Sequence, residues 1–593
     1  MKLAVFKIIR LFNKKEKKKM FYLFIMMIFA AILETVGIGL IVPLVGLLTT
    51  PEVIQEQQVL ATIYEFFNFQ STTSFIVFSV VMLLTVFIIK NLYLLVYNYA
   101  QFRVILNQQV KLSRSLFKEY LTKPYTFHLQ RNTAELLRNV NDEVPKVLQG
   151  MVLSSFQLLT EFLVIVCIMI LLLITAPLAT LTAALLMGGS VFIFFSIFKK
   201  KISSLGKEKQ KVSGNMIKWV NQGLGGSKEV KVTGKENFFI NAYSRQSQIK
   251  ANNDRYMKML EQVPRLFIET LLVSTVLLTM LIIIFQGNNT AELISTMALF
   301  AMAAFRLMPS ITRVVALTTT IRYSQPALDV VYGDLFEKDE YKVQEEIGSD
   351  KSIHYLNNGE RVFKEAIALE KVSFKYPNQE KLAIRNVNLM IPIGKSVAFI
   401  GESGAGKTTL IDIVLGLLEP EHGDVRVDSR SLKNIKSLWQ QKIGYIPQFI
   451  FLSDDTIKAN IAFGLEEEKI DDDAVWSALE QAQLKEFVQS LPDQLETTVG
   501  ERGVRLSGGQ RQRIGIARAL YHNPEILFMD EATSALDNET EKEIMKAIDG
   551  LKGEKTLIII AHRLSTIQNC DIVFKMENGQ LISTENKGER KVI

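Results

Sequence analysis

Eight consecutive residues, Gly401-Glu402-Ser403-Gly404-Ala405-Gly406-Lys407-Thr408, follow the pattern G-x-x-x-x-G-K-[ST]. Glycines at that spacing let the backbone bend so that its N–H groups converge on phosphate oxygens. A helix starting near Lys407 adds the positive end of its dipole. Lys407 suits the β- and γ-phosphates, and the Thr408 hydroxyl suits Mg²⁺. The flanks support this chemistry over a chance glycine turn: Lys395–Ile400 reads as a short buried strand entering the loop, and Thr409–Leu418 as a helix leaving it.

Two further stretches complement the loop. Ile526-Leu527-Phe528-Met529-Asp530 reads as a buried strand ending in a carboxylate, with Glu531 next. Acids at strand ends are common, but beside a phosphate loop Asp530 is placed to hold Mg²⁺, and Glu531 to orient or deprotonate an attacking water. Leu506-Ser507-Gly508-Gly509-Gln510 opens a helix that continues through Arg511–Leu520. Its Ser507, Gly508, Gly509 and Gln510 form a second anion site at a helix N-terminus. Two anion sites with one set of metal ligands suggest that the second completes another chain's pocket.

The elements that must position these groups form two contrasting halves. Hydrophobic residues make up 48% of the 593-residue chain and charged residues 22%, an average that points to a membrane half joined to a soluble half. The net charge of +7 comes from Lys and Arg gathered between apolar segments, which argues for membrane topology and against nucleic-acid binding. Two cysteines, Cys167 and Cys570, give no disulfide framework. The first apolar stretch is too long for a cleaved signal peptide.

Six segments are long enough to cross a hydrocarbon core of about 30 Å: Met20–Leu48, Phe75–Tyr97, Met151–Ile174, Pro177–Phe198, Leu266–Phe285 and Leu293–Leu317. Neither Lys nor Arg occurs between Lys19 and Lys90, Lys146 and Lys199, or Arg265 and Arg306. These gaps contain alternate loops, so both termini are expected in the cytosol, with the chain multi-pass in a membrane. In the first outer loop Val59, Leu60, Ile63, Phe66 and Phe67 share a helical face. That face suits either the outer membrane surface or a cap on the bundle. The inner excursions Gln101–Gln149 and Lys199–Gln262 are polar and helix-compatible, with breaks at Pro124-Tyr125 and Gly223–Gly226. The expected domains are 1–335, an α-helical membrane domain of six transmembrane helices; 336–360, a polar linker; and 361–593, an α/β P-loop domain.

With these motifs in this order, the whole chain resembles the exporter-type ATP-binding cassette (ABC) transporters, whose signature is Leu-Ser-Gly-Gly-Gln. The resemblance implies ATP and Mg²⁺ as cofactors and ATP hydrolysis coupled to transport. It assigns catalytic positions to Glu531, His562 (the switch histidine at the γ-phosphate) and Gln448 (the Q-loop glutamine, also near Mg²⁺). Metal ligation falls to Thr408, Gln448 and Asp530. Nucleotide binding falls to Tyr376, which resembles the aromatic that stacks on adenine, with Gly401, Ser403, Gly404, Gly406, Lys407, Thr408, Thr409 and the 507–510 signature. Gly500–Gly503 resembles the exporter loop that contacts the membrane domain, and Ser534–Asp537 the D-loop at the dimer interface. The breaks near Thr126–Arg131 and Gly223–Gly234 resemble coupling helices. Each chain supplies a full loop and a full signature, so a homodimer is the simplest assembly.

The membrane half narrows the substrate. Ile32–Pro43, Val263–Glu269 and Phe305–Ser310, together with the outer amphipathic segment, resemble the PglK-type flippases of lipid-linked oligosaccharides. This implies outward movement of a polyprenyl-diphosphate glycolipid. The alternative is a general lipid or drug exporter, or a peptide exporter, for which a protease domain before Met20 is the expected mark. Arg265, Arg306 and Arg313 are the candidate substrate residues, since Arg engages phosphate in pairs of hydrogen bonds. Arg306 stands 14 residues past Glu292, about 21 Å along a helix. Arg265 has the competing option of pairing with Glu269 at i+4.

Overall fold

The computed structural model describes residues 2–40, 44, 47, 58–175, 177–285, 290–336, 361–530, 538–561 and 567–587; at some helical positions, chiefly 282–306, it describes the backbone alone. The chain divides into two compact units, Met1–Lys123 with Arg131–Lys342, and Val343–Ile593 with Pro124–Gln130.

The first unit is helical. Its long helices are Lys14–Gly39, Thr72–Thr122, Ser154–Thr175, Pro177–Gly225, Glu236–Phe285 and Thr290–Phe336. Among the described residues Lys14–Gly37, Thr72–Thr122 and Thr133–Ile174 contain stretches apolar and long enough to cross a membrane. The remaining three expected spans lie in helices of which some side chains are outside the described residues. Thr72–Thr122 has 51 residues, about 75 Å at 1.5 Å per residue, more than twice the hydrocarbon thickness. The excess is the polar excursion read from the sequence.

The stretch before the third span is not α-helical throughout. Asn139–Glu143 and Lys146–Leu153 are π-helical. Pro145, between them, has no N–H to donate, which breaks the i→i−4 ladder and favours the wider repeat. The same stretch passes close to the Thr290–Phe336 helix: a Cβ on Gly150 would lie 2.2 Å from Ser324 Oγ. The outer-loop segment is helical over Gln58–Phe66. Leu60, Ile63 and Tyr64 pack around buried Phe75, while Phe66 and Phe67 stay exposed. The helix thus caps its own hairpin with one edge and presents two rings outward with the other.

The second unit carries two sheets. An antiparallel sheet has the order β2 (Ile384–Pro392), β1 (Ala366–Phe374), β4 (His422–Val427), β5 (Arg430–Ser431). A six-stranded sheet has the order β10 (Gln580–Asn586), β9 (Ile572–Glu577), β3 (Ser396–Ile400), β8 (Thr556–Ile560), β7 (Ile526–Asp530), β6 (Ile443–Ile446). Its inner strands pair in parallel. They read as unbroken apolar runs because both faces are covered. Alternate residues of β7 serve the two faces: Leu527 and Met529 join one core, Ile526 and Phe528 the other. The second core also holds Leu410, Ile411, Ile413 and Val414 of the helix that follows the phosphate loop.

Candidate functional site

The phosphate loop leaves β3 and enters the helix Lys407–Val414. Gly401, Gly404 and Gly406 have φ of 150°, 83° and 95°, a region costly for residues with a Cβ. Space forbids a side chain at Gly401, where a Cβ would lie 2.2 Å from the Met576 carbonyl oxygen, and is tight at Gly406, where it would lie 3.0 Å from the Ala383 carbonyl oxygen. The Lys407 ammonium is buried and donates to the carbonyls of Gly401 at 2.8 Å and Glu402 at 2.9 Å. The side chain is therefore curled over the loop that its spacing assigned to phosphate. Ser403 and Thr408 are exposed, and Thr409 is buried. The helix ends at Val414, short of the expected Leu418, because the chain turns through Gly416 at φ 75°.

Tyr376, half-buried just after β1, lies edge-on to Phe374 with centroids 5.1 Å apart. Its hydroxyl is 3.0 Å from Thr409 Oγ1. The aromatic and the loop are thus held by one short polar contact. Asp530 is buried at the end of β7. It shares the parity of Ile526 and Phe528, so its side chain leaves the strand on the face covered by the Lys407–Val414 helix.

That face also holds a group not singled out from the sequence. Asp412, on the loop helix, has its carboxyl pushed up to about 6, first by burial and then by the charge of Asp530. The Tyr445 phenol is also raised, by burial first and then by Asp530 and Asp412. An i+5 carboxylate on a helix gives no local signal of where its neighbours will be, so only the packed structure brings Asp412 to Asp530. Gln448, exposed three residues beyond Tyr445, follows β6. Glu531 and His562, with Ser534–Asp537, lie outside the described residues.

The signature begins the helix Gly508–Leu520, with Ser507 as N-cap. Ser507 Oγ accepts from the Gln510 N–H at 3.2 Å, and the Ser507 N–H donates to Gln510 Oε1 at 2.8 Å. This capping box consumes the two side chains locally, while Ser507 stays exposed. The helix is tied to the segment after Gln448 by Arg518. It donates to the Asn460 carbonyl at 2.7 Å, the Phe451 carbonyl at 2.7 Å and Asn460 Oδ1 at 3.1 Å. In the loop before the signature, Gly500, Arg502 and Gly503 all have positive φ.

The two expected coupling breaks are short helices, Tyr125–Gln130 and Ser227–Thr233. In the helical unit Arg265 is exposed, and no ion pair joins it to Glu269. The Arg306 side chain lies outside the described residues. Arg313 pairs with Glu161, Nε to Oε1 at 2.7 Å.

A helical membrane unit fused to a sheet unit with a phosphate loop, a strand-end acid and a capped glycine-rich helix defines a nucleotide-driven membrane transporter. Residues 24–308 match the ABC transporter transmembrane region, and residues 384–534 match the ABC transporter domain. The chain is 31% identical over 488 residues to the ATP-dependent lipid A-core flippase of Cupriavidus metallidurans, covering 81% of this chain and 79% of the relative. The proteins of that name from Ralstonia nicotianae (31% over 492 residues, 81% and 78% covered) and Haemophilus influenzae (29% over 488, 81% and 79%) are similar. A solved bacterial Atm1-family ABC exporter with ATP bound shares the fold, at a TM-score of 0.77 and 20% identity, covering 97% of this chain and 96% of that one. The chain belongs to the ABC transporter family, as an exporter with its helical membrane domain followed by its nucleotide-binding domain, and it couples ATP hydrolysis to transport.

Proposed function

We propose that the protein is a homodimeric flippase of the bacterial cytoplasmic membrane. It moves a lipid-linked oligosaccharide, or a similar polyprenyl-diphosphate glycolipid, outward, with both termini in the cytosol. The observation that carries the substrate class is the set Arg306 and Arg313 within the sixth apolar segment and Arg265 at the start of the fifth. Cations in spans are costly and usually face the bundle or a pathway, and an anionic headgroup gives them a partner. The relatives named lipid A-core flippase support a lipid substrate. They also favour a second, wider reading, a lipid exporter without preference for polyprenyl carriers.

In this reading the loop from Gly401 to Thr408 cradles the ATP phosphates, Lys407 neutralises them, and Tyr376 faces adenine. Thr408, Gln448 and Asp530 would hold Mg²⁺, which supplies charge neutralisation at the phosphates. The exposed Thr408 hydroxyl and the inward parity of Asp530 fit that role. Glu531 orients or deprotonates the water, and His562 steadies the γ-phosphate. The signature Ser507–Gln510 covers the nucleotide of the partner chain.

The test is flipping in reconstituted vesicles that contain ATP and a fluorescent polyprenyl-diphosphate disaccharide, a lipid A-core lipid or phosphatidylethanolamine. ATP-dependent loss of the polyprenyl lipid from the leaflet facing the nucleotide domains, well above that of the other two, is expected. Equal rates for all three would favour the wider lipid exporter.

A further inference from the structure

The Glu161–Arg313 pair joins two membrane helices, Ser154–Thr175 and Thr290–Phe336. These helices run antiparallel: Gly150 lies against Ser324 and Thr320, whereas Glu161, further along, lies against Arg313. Side chains lean towards the N-terminus of their own helix. In an antiparallel pair the two side chains therefore lean in opposite directions, and they meet at one level with Nε 2.7 Å from Oε1.

The two partners are unequally covered. Glu161 retains 12% of its side-chain exposure and Arg313 retains 48%. The Glu161 oxygen not on Arg313, Oε2, is buried, and the hydroxyl of Ser310, three residues before Arg313, is wholly buried. Next to the pair, Val164, Ile168, Ile311 and Val315 form a buried apolar cluster. Glu161 is thus fixed among packed groups and holds the guanidinium by its Nε edge. The contact is with Nε, the two Nη groups carry the other four N–H donors, and the side chain is 48% exposed, so the Nη edge, with one N–H from each Nη, is not used by this contact. That edge has the geometry to grip two phosphate oxygens.

We infer that Glu161 positions Arg313 and tempers its charge, so that the site grips a diphosphate headgroup and can release it. The inference rests on the diphosphate reading above. With the Nε edge occupied, the fork is preorganised. With a carboxylate 2.7 Å away, the local net charge is near zero, so a headgroup is held by paired hydrogen bonds to the fork more than by net charge, and it can leave. Removing the negative charge while keeping an amide in its place should strengthen anion binding and slow release. A pair that serves only to hold the helices together has no means of raising affinity.

The experiment uses the purified full-length protein in lipid nanodiscs and measures ATP hydrolysis against a C15 isoprenyl diphosphate, the corresponding monophosphate, the neutral isoprenol and inorganic diphosphate. Each variant is read as the ratio of half-saturating concentrations for diphosphate and isoprenol within one preparation, which cancels loss of active protein. Glu161→Gln should lower the half-saturating diphosphate concentration about five- to tenfold, roughly the worth of one close charge–charge interaction. It should also reduce the maximal stimulated rate and widen the gap between diphosphate and monophosphate. Arg313→Gln should raise the diphosphate value about tenfold or more.

If Arg313→Gln leaves the ratio at its parental value, the diphosphate reading at this site is wrong and the inference falls with it. If Arg313→Gln changes the ratio but Glu161→Gln does not, or weakens every ligand alike, the reading stands and the tempering role is overturned. A response to inorganic diphosphate equal to that of the lipid would overturn the lipid headgroup as the ligand.

Discussion

The Tyr376 hydroxyl lies 3.0 Å from Thr409 Oγ1, so a strand-end aromatic and the first turn of the phosphate-loop helix are fastened together. Thr409 is buried while its neighbour Thr408 is exposed. Adjacent threonines thus have separate tasks, one anchoring the aromatic and the other available to a ligand.

This separation predicts different outcomes for two substitutions. Tyr376→Phe keeps the ring and loses one hydrogen bond of about 1 kcal/mol, so half-saturating ATP should rise less than about fivefold. Tyr376→Ala removes the stacking surface, and a rise of about tenfold or more is expected. Titration with a fluorescent ATP analogue measures both. Equal losses in the two variants would place the contribution in the hydroxyl instead of the ring.

Lys407 and Glu531 should fail differently. Lys407→Ala removes the ammonium that now donates to Gly401 and Glu402, and nucleotide affinity should drop markedly. Glu531→Gln should retain ATP binding and lower turnover by about a hundredfold or more, as expected for loss of a general base. Steady-state phosphate release and equilibrium binding separate the two. Parental turnover in a clean Glu531→Gln preparation would remove Glu531 from its role.

The capped but exposed Ser507 is proposed to meet the partner's nucleotide. Mixed dimers decide this: one chain carries Lys407→Ala and the other Ser507→Arg. If pockets form between chains, both defects fall on one pocket and the second remains able to retain ATP. One nucleotide held per mixed dimer is the expected count. None would show that loop and signature of the same chain act together.

Asn460 is fully buried and saturated. Its Oδ1 accepts from the Ser453 N–H at 2.9 Å, and its Nδ2 donates to the carbonyls of Ser453 and Thr456, both at 3.0 Å. Arg518 adds a further bond to it. Asn460→Ala leaves these groups unpaired in the interior and should cost about 2–4 kcal/mol. Calorimetry should show the nucleotide-domain transition shifted down by several degrees. A shift within error would mean that these groups find other partners.

Asp412 gives a pH dependence. Its carboxyl ordinarily titrates near 3.8 and stands at about 6 in the fold. Between those values the folded chain binds more protons than the unfolded chain, so this group makes stability fall as pH rises through the window. The penalty is absent below about 3.8 and complete above about 6. Asp412→Asn should flatten that part of the profile and raise the melting temperature more at pH 7 than at pH 4.5. Thermal melts with a chelator and no nucleotide measure it. Parallel profiles for parent and variant would show that Asp412 is not the group concerned.

What the amino-acid order alone determined is what depends on near neighbours. The spacing of Gly401, Gly406 and Lys407, the unbroken apolar runs of β3 and β7, and the alternation of basic and apolar segments each report a local rule: a backbone angle, a covered strand, a solvent. Such rules act within a few residues, so the family and the two halves were legible, as was Ser507 at a helix start. The tertiary structure alone decided what depends on helix rotation and on register between distant segments. Glu161 and Arg313 meet because two antiparallel helices present them at one level. Asp412 feels Asp530 because the loop helix packs on one face of β7. Residues 139–153 widen into π-helix where Pro145 interrupts the ladder and Gly150 admits Ser324. Local periodicity carries no record of which neighbour will face a given side chain, because that is settled by packing whole elements against one another.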